Sequence, residues 1–406
     1  MRILIAADTY APDINGASYF AQRLANGLAT EHEVHVVSPS LRRHATSGVG
    51  AGGVTEHRLG SLPVLVRRRG VRFRPPVGAE RRARALLREV APDVVHAQSH
   101  FLVGRAVIRA AHALGIPVVA TNHFMPDSLL PYLPVGAGLQ RRFYRWAWRD
   151  VARVFALADV VTAPTPFAAA LTESAGVAAP VLPISCGLDL ERFTPDRDGR
   201  RFRRAHALPS TPVLAYVGRL DRDKNVHELV GALALVRDRW AVHLLIVGDG
   251  TERRRLETLA SELGVADSVT FTGWLADEEL PDAYAAADFF GMPGTAELQS
   301  LATLEAMATG VPVLAVDASA LPHLVHHGET GWLYRHGDVP ELAGRLRALL
   351  NDPAAARQMG RRARVVAGGH DLNATLAAFT GLYDACHRAR STGQLPAPLQ
   401  AAASKR

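Results

Sequence analysis

Three short segments of this 406-residue chain hold the side chains whose types and spacing suit chemistry. The first is Val217-Gly-Arg-Leu-Asp-Arg-Asp-Lys-Asn225. Gly218 permits a sharp backbone turn. Arg219 offers a planar fork for phosphate oxygens, and Lys224 sets a point charge beside a helix N-terminus, where anions bind. The second is Glu297-Leu-Gln-Ser-Leu-Ala-Thr-Leu-Glu305, running into Ala306-Met-Ala-Thr-Gly-Val-Pro-Val313. A carboxylate accepts hydrogen bonds and donates none, so each glutamate suits paired hydroxyls. The N–H groups of Leu298, Gln299 and Ser300, at an expected helix start, suit an anion. The third is Thr121-Asn-His-Phe-Met125, in which His123 can donate a hydrogen bond to a ligand. His96 and His100 also end a strand, but a buried structural role fits them as well.

Lysine usage sharpens the first segment. The chain has two lysines, Lys224 and Lys405, and uses arginine elsewhere. Keeping one lysine here points to a need for a compact ammonium, because the two side chains are not interchangeable. Asp221-Arg222-Asp223 has the Asp-x-Asp form that can hold a divalent cation. Wedged between two cationic side chains, it reads as charge balance, and no metal is expected.

These segments need elements to hold them. Apolar, β-branched runs recur at Ile3–Ala7, Val34–Ser38, Val94–Ala97, Val118–Thr121 and Val160–Ala163, separated by amphipathic stretches. The pattern restarts at Val213–Val217, Val242–Val247, Val269–Thr272, Phe289–Met292, Val313–Ala315 and Trp332–Leu333. Continuous apolar runs of this length belong to parallel sheets covered on both faces. The expected fold is α/β: two doubly wound, Rossmann-like domains facing each other across a cleft. The expected division is 1–195, a linker at 196–212, a second domain at 213–370, and a helix at 371–390 packing back on the first domain. Residues 391–406, rich in Ala, Pro, Gln and Ser, read as a disordered tail.

With these residues in place, the sequence resembles family 4 of the glycosyltransferases, which have the GT-B fold. The resemblance spans about residues 1 to 385. It rests on Gly-Arg-Leu…Lys-Asn and on the paired glutamates followed by Glu-Ala-Met-Ala-Thr-Gly-Val-Pro-Val. It implies that Arg219 and Lys224 hold a donor diphosphate, that Glu305 binds ribose hydroxyls, and that Glu297 binds the donor sugar. It further implies that Leu298, Gln299 and Ser300 help hold sugar and diphosphate. Gly248, in Ile246-Val-Gly-Asp-Gly250, then lies beside the nucleotide, and Phe271, in Thr270-Phe-Thr-Gly273, lies on the strand lining the base pocket. His123 matches the family's Thr-x-His. Gly16 sits where the family usually has two adjacent glycines near a phosphate or acceptor, but this chain has Gly16-Ala17. The implied activity is retaining, metal-independent transfer of a sugar from a uridine or guanosine diphosphate sugar to an acceptor hydroxyl. The nucleotide sugar is a co-substrate, and no cofactor is expected. A soluble polyol acceptor, or a nucleotide-sugar 2-epimerase or hydrolase on the same fold, are the alternatives.

Charge bears on the acceptor. Residues 1–207 carry 27 arginines and 16 acidic residues, a net of +11, and the remainder has a net of −4. Arg67, Arg68, Arg69, Arg72 and Arg74 cluster, Arg81 and Arg82 follow, and Arg142, Arg145, Arg149 and Arg153 share one face of a helix. The opposite face carries Tyr144, Ala147, Trp148, Val151, Phe155 and Ala158. A lipid or glycolipid acceptor at an anionic inner membrane face is therefore expected. No apolar run approaches the roughly 18 residues of a membrane span. Cys186 and Cys386 form no disulfide framework or metal-ligand spacing. With no leader read at Met1, a cytoplasmic setting is expected. The absence of a glycine-rich dinucleotide fingerprint after the first strand argues against nicotinamide or flavin chemistry. No nucleic-acid motif is present.

Overall fold

The structure, a computed structural model, describes residues 1–13, 15–62, 66–68, 71–132 and 135–392. The chain forms two compact units. The first comprises Met1–Pro126, Leu133–Gly187 and the chain from Asn373 on, and the second comprises Asp127–Tyr132 and Leu188–Leu372.

The first unit is built on β1 (Arg2–Ala6), β2 (Glu33–Pro39), β3 (Thr46–Val49), β4 (Thr55–Leu59), a separate hairpin of β5 (Val66–Arg68) and β6 (Val71–Phe73), then β7 (Val94–Ala97), β8 (Val118–Thr121), β9 (Val160–Ala163) and β10 (Val181–Pro183). Its main sheet runs β10-β9-β8-β7-β1-β2-β4-β3, parallel except for the antiparallel edge strand β3. Ile3, Leu4 and Ile5 are all fully buried, as expected of a strand covered on both faces. The second unit has β11 (Val213–Val217), β12 (His243–Val247), β13 (Val269–Gly273), β14 (Phe289–Met292), β15 (Val313–Val316) and β16 (Gly331–Tyr334). They form one parallel sheet in the order β13-β12-β11-β14-β15-β16.

Both sheets reverse their winding beside the first strand of the unit. β1 lies between β7 and β2, and β11 lies between β12 and β14. In open α/β sheets, ligands bind outside the carboxyl ends of the strands at such a switch point. The segments singled out from sequence leave these ends: Gly218 to Lys224 after β11, Gly248 after β12, Glu297 after β14 and His123 after β8.

The stretch 196–212, read as a linker, is part of the second unit. It contains the helix Gly199–Ala205, held by an Asp198 cap, and it buries Phe202 in that unit's core. The long final helix, Leu372–Thr392, belongs from Asn373 on to the first unit, where Phe379 and Tyr383 are fully buried. Each such side chain contributes roughly 1.5–3 kcal/mol by leaving water. Residues 393–406, most of the expected tail, lie outside the described residues.

The arginine cluster needs one correction. Arg74 is not a surface cation: it is buried and its Nη2 donates to Asp13 Oδ1 at 2.8 Å, with both side chains about 5% exposed or less. A buried charge needs such a partner. Arg69 lies outside the described residues, as do the side chains of Arg67, Arg68 and Arg72. In the helix Ala137–Phe155, Arg142, Arg145, Arg149 and Arg153 are exposed, while Ala147, Trp148, Val151 and Phe155 are buried. The arginine face is not purely polar, because Leu139 and Trp146 on it are 55% and 59% exposed.

Candidate active site

In the second unit, backbone approach sets the site. Gly248 has φ +128°, and a Cβ there would collide with the carbonyl oxygen of Gly218. The loops leaving β11 and β12 are thus pressed together, and Gly218 N donates to Val247 O at 3.0 Å. Beneath them the Tyr216 hydroxyl, from β11, donates to Arg219 O at 2.8 Å. Gly248 N donates to Gly273 O at 2.9 Å, which ties the end of β13, and so Phe271, to the same loop pair. Phe271 is partly buried, with the Arg253 guanidinium 5.8 Å from its ring.

The ionisable groups at this end are paired. Arg219 forms an ion pair with Asp221 and lies 3.7 Å from Asp223 Oδ2. Lys224 Nζ donates to Glu297 Oε1 at 2.6 Å and lies 3.7 Å from Asp223 Oδ2. Burial pulls both cations toward neutrality, but the carboxylates together outweigh it and hold Arg219 and Lys224 above their ordinary pKa values. Asp221 also accepts from Thr251 Oγ1 at 3.0 Å. Asp223 Oδ1 accepts from the Tyr132 hydroxyl at 3.1 Å, and Tyr132 in turn accepts from Arg222 N at 3.0 Å. Both aspartates are buried, so they act as counter-ions that aim the two cations. Sequence reasoning read them as charge balance but did not find Tyr132, which is 91 residues from Asp223.

Glu305 sits in the helix Leu301–Ala308 and accepts from the Tyr284 hydroxyl at 2.8 Å. Ser300 precedes this helix with φ +68°, an unfavoured conformation for a residue with a Cβ. Its hydroxyl is 2.8 Å from that of Thr303. Gln299 is buried, with Nε2 3.3 Å from His370 Nδ1, and Glu297 O accepts from Ala320 N at 3.1 Å. The segment from Glu297 to Ser300 is therefore pinned at both ends. Leu298 within it is partly buried.

His123 and Gly16 lie in the first unit. Gly16 opens the helix Gly16–Leu28, is exposed, and follows Asn15, whose side chain caps the helix by accepting from Ser18 N at 2.9 Å. His123 Nε2 is 3.0 Å from Gln98 Oε1, and its ring lies 5.1 Å from that of Phe20. Burial lowers its pKa to about 4, so it is neutral. His96 is fully buried, with Nδ1 2.6 Å from the Tyr383 hydroxyl and Nε2 2.6 Å from Thr121 Oγ1. His100 packs among Phe101, Phe124 and Phe155. Both are structural histidines.

What the arrangement can do is hold an anion with two oriented cations and present carboxylates to hydroxyls. Among the described residues, no group of three or more His, Cys, Asp or Glu side chains is arranged to hold a metal ion. No described helix is long and apolar enough to cross a membrane.

Comparison with known proteins identifies the family. Residues 198–366 match the family model described as glycosyl transferases group 1, and residues 14–192 match the one described as glycosyltransferase family 4. A GDP-mannose-dependent α-mannosyltransferase of Mycolicibacterium smegmatis is 34% identical, over 82% of this chain and 84% of its own. From the same organism, a GDP-mannose-dependent α-(1-6)-phosphatidylinositol monomannoside mannosyltransferase is 30% identical, over 91% of this chain and 93% of its own. Among solved structures, sucrose-phosphate synthase from Thermosynechococcus elongatus superposes with a TM-score of 0.77 at 23% identity, covering 95% of this chain and 98% of its own. The two Rossmann-like sheets are those of the GT-B fold, and the chain belongs to the family 4 glycosyltransferases, enzymes that act on nucleotide sugars.

Proposed function

We propose that this enzyme transfers mannose from GDP-mannose to a hydroxyl of a lipid or glycolipid, with retention of the α configuration and without a metal. The observation that carries the reading is the Lys224–Glu297 contact of 2.6 Å beside Arg219, at the carboxyl ends of β11 and β14. It joins cations suited to a leaving diphosphate to a carboxylate suited to sugar hydroxyls. When donor enters, its diphosphate takes Lys224, and Glu297 turns to the sugar. Arg219 and Lys224 then stabilise the charge that builds on the departing diphosphate, in place of a metal. The acceptor hydroxyl attacks the face the diphosphate leaves and gives its proton to the departing phosphate oxygen. Glu305 holds the ribose, Phe271 and Gly248 line the nucleotide side, and the N–H groups of Leu298, Gln299 and Ser300 support sugar and diphosphate. His123 faces the transferred sugar, and Gly16 allows close approach of phosphate or acceptor. The relatives' GDP-mannose dependence supports guanosine over uridine.

The acceptor half of the proposal rests on the +11 charge of residues 1–207 and on the helix Ala137–Phe155. Its exposed Leu139 and Trp146 stand among Arg142, Arg145 and Arg149, a mixture suited to anionic lipid at the inner membrane face. Each engaged arginine contributes about 1 kcal/mol at such a surface. The enzyme would then be cytoplasmic and peripheral.

A panel of nucleotide sugars in thermal unfolding tests the donor. GDP-mannose at about 100 times its dissociation constant stabilises by about 2.7 kcal/mol. A uridine donor that stabilises while GDP-mannose does not would overturn the assignment. The anomeric coupling of the product reports configuration, and a β-linked product would refute retention. Sedimentation with phosphatidylglycerol vesicles tests the surface. Binding that weakens with salt and on Trp146→Ser is expected, and indifference to anionic vesicles at low salt would favour a soluble polyol.

A further inference from the structure

A chain of hydrogen bonds runs behind His123 within the first unit. Both ring nitrogens of His96 have partners: Tyr383 at Nδ1 and Thr121 at Nε2, each at 2.6 Å. The Gln98 amide nitrogen is 3.3 Å from both of these ring nitrogens. Equal distances to the two nitrogens put that nitrogen against the ring face, since in the ring plane it would overlap Cε1, and there an N–H points favourably at π electrons while a carbonyl oxygen does not. The amide is therefore oriented: its N–H end faces His96 and its Oε1 faces His123, 3.0 Å from Nε2. Gln98 is itself 3% exposed, so water does not compete for it. A carbonyl oxygen accepts and cannot donate, so the partner at His123 Nε2 must carry a proton. In a neutral imidazole the other nitrogen, Nδ1, is then a bare lone pair, and among the described residues it has no hydrogen-bond partner.

We propose that Gln98 is a positioning residue that fixes His123 as the Nε2–H tautomer, so that His123 accepts a hydrogen bond at Nδ1 from a hydroxyl of the transferred sugar. This reverses the donor role expected of His123 from sequence, and it rests on the reading that His123 faces the sugar. Phe20, 5.1 Å away, holds the ring's tilt. Burial keeps the imidazole neutral, which preserves the lone pair.

Nitrogen-15 NMR of the histidine-labelled, ligand-free enzyme at pH 7 tests the tautomer directly. His123 should show a protonated Nε2 and an unprotonated Nδ1, and Gln98→Leu should shift it to a mixture. A protonated Nδ1 in the native enzyme, or an unchanged ratio in Gln98→Leu, would overturn the proposal. Because no substrate is present, that failure says nothing against the sugar-facing reading, which is tested separately by His123→Ala kinetics. Gln98→Glu supplies an acceptor without the cavity risk of Leu. It should preserve the tautomer but add a charge that favours the imidazolium, so the acid limb of the kcat/KM profile should move up by at least one pH unit. A variant merely damaged in packing would lose activity with no such displacement.

Discussion

The two units place polar groups beside their switch points by opposite means. In the second unit the groups are charged and mutually neutralised: Arg219 against Asp221 and Asp223, Lys224 against Glu297. In the first the two histidines at the strand ends are neutral and desolvated: His123 on Gln98, and His96 between Tyr383 and Thr121. Under the proposed function, the difference follows from what each would meet. A diphosphate brings charge, and cations aimed beforehand by fixed carboxylates need little reorganisation when it arrives. A sugar hydroxyl brings none, and a neutral group of defined tautomer can meet it without the cost of burying an ion.

Removing a cation should break the charged side most severely. Lys224→Ala or Arg219→Ala withdraws stabilisation that grows as the diphosphate leaves, so kcat should fall roughly 100-fold or more, about 2.7 kcal/mol. Steady-state kinetics with saturating donor checks this. A rise in KM with kcat intact would show instead that these cations bind donor and transition state equally.

The aspartates come next. As counter-ions, Asp221→Asn and Asp223→Asn should each lower transfer about tenfold, and they should do so equally in the presence of a strong chelator. The native enzyme should keep its activity in chelator. Abolition by chelator with rescue by magnesium or manganese would return the Asp-x-Asp segment to a metal site.

The two units differ again in how readable they are from sequence. The strands were legible because parallel strands buried on both faces appear as apolar runs, and the Gly218–Lys224 and Glu297–Glu305 segments because their charged side chains stand close together in the chain. The edge strand Thr46–Val49 was not, since all four of its residues are exposed and carry no apolar signal. Nor was the burial of Arg74, whose partner Asp13 is 61 residues away. Gln98 lies two residues from His96, but what it does depends on which nitrogen His123 turns toward it, and only the fold sets that. Tyr284 and Tyr132 are likewise joined to Glu305 and Asp223 through tertiary packing alone.

Acid should erode the stability that the first unit draws from its buried histidines. Burial holds the pKa of His96 at about 3 and those of His100 and His123 at about 4, below the unfolded value near 6.5. With folded values depressed, the unfolded chain binds more protons in acid. The stability these groups confer is fully present above pH 6.5 and is lost as pH falls from there toward 4 for His100 and His123 and toward 3 for His96. Each group contributes a slope of up to about 1.4 kcal/mol per pH unit. Thermal unfolding from pH 7 to 5 should show this decline, and His123→Asn should make it shallower. An unchanged slope would mean that His123 titrates normally.

The smallest expected effect isolates a single hydrogen bond on the charged side. The Tyr284 hydroxyl, carried on the helix Leu280–Ala285, donates to Glu305 Oε2 at 2.8 Å and so sets the angle of that carboxylate. Tyr284 is fully buried, and Tyr284→Phe keeps the ring while removing the hydroxyl. Glu305 is partly exposed, and water can replace part of what is lost. The affinity for free GDP should therefore drop only about fivefold, about 1 kcal/mol, with kcat at saturating donor nearly unchanged. Calorimetry with the nucleotide alone measures it. In a Glu305→Gln background the same substitution should cost much less, because a neutral amide gains less than a carboxylate from the hydroxyl's orientation. Glu297→Gln, by contrast, should leave GDP binding nearly intact while impairing transfer. Equal losses of GDP affinity in Glu305→Gln and Glu297→Gln would erase the division between a ribose-binding and a sugar-binding glutamate, and with it the reason for Tyr284 to hold one and not the other.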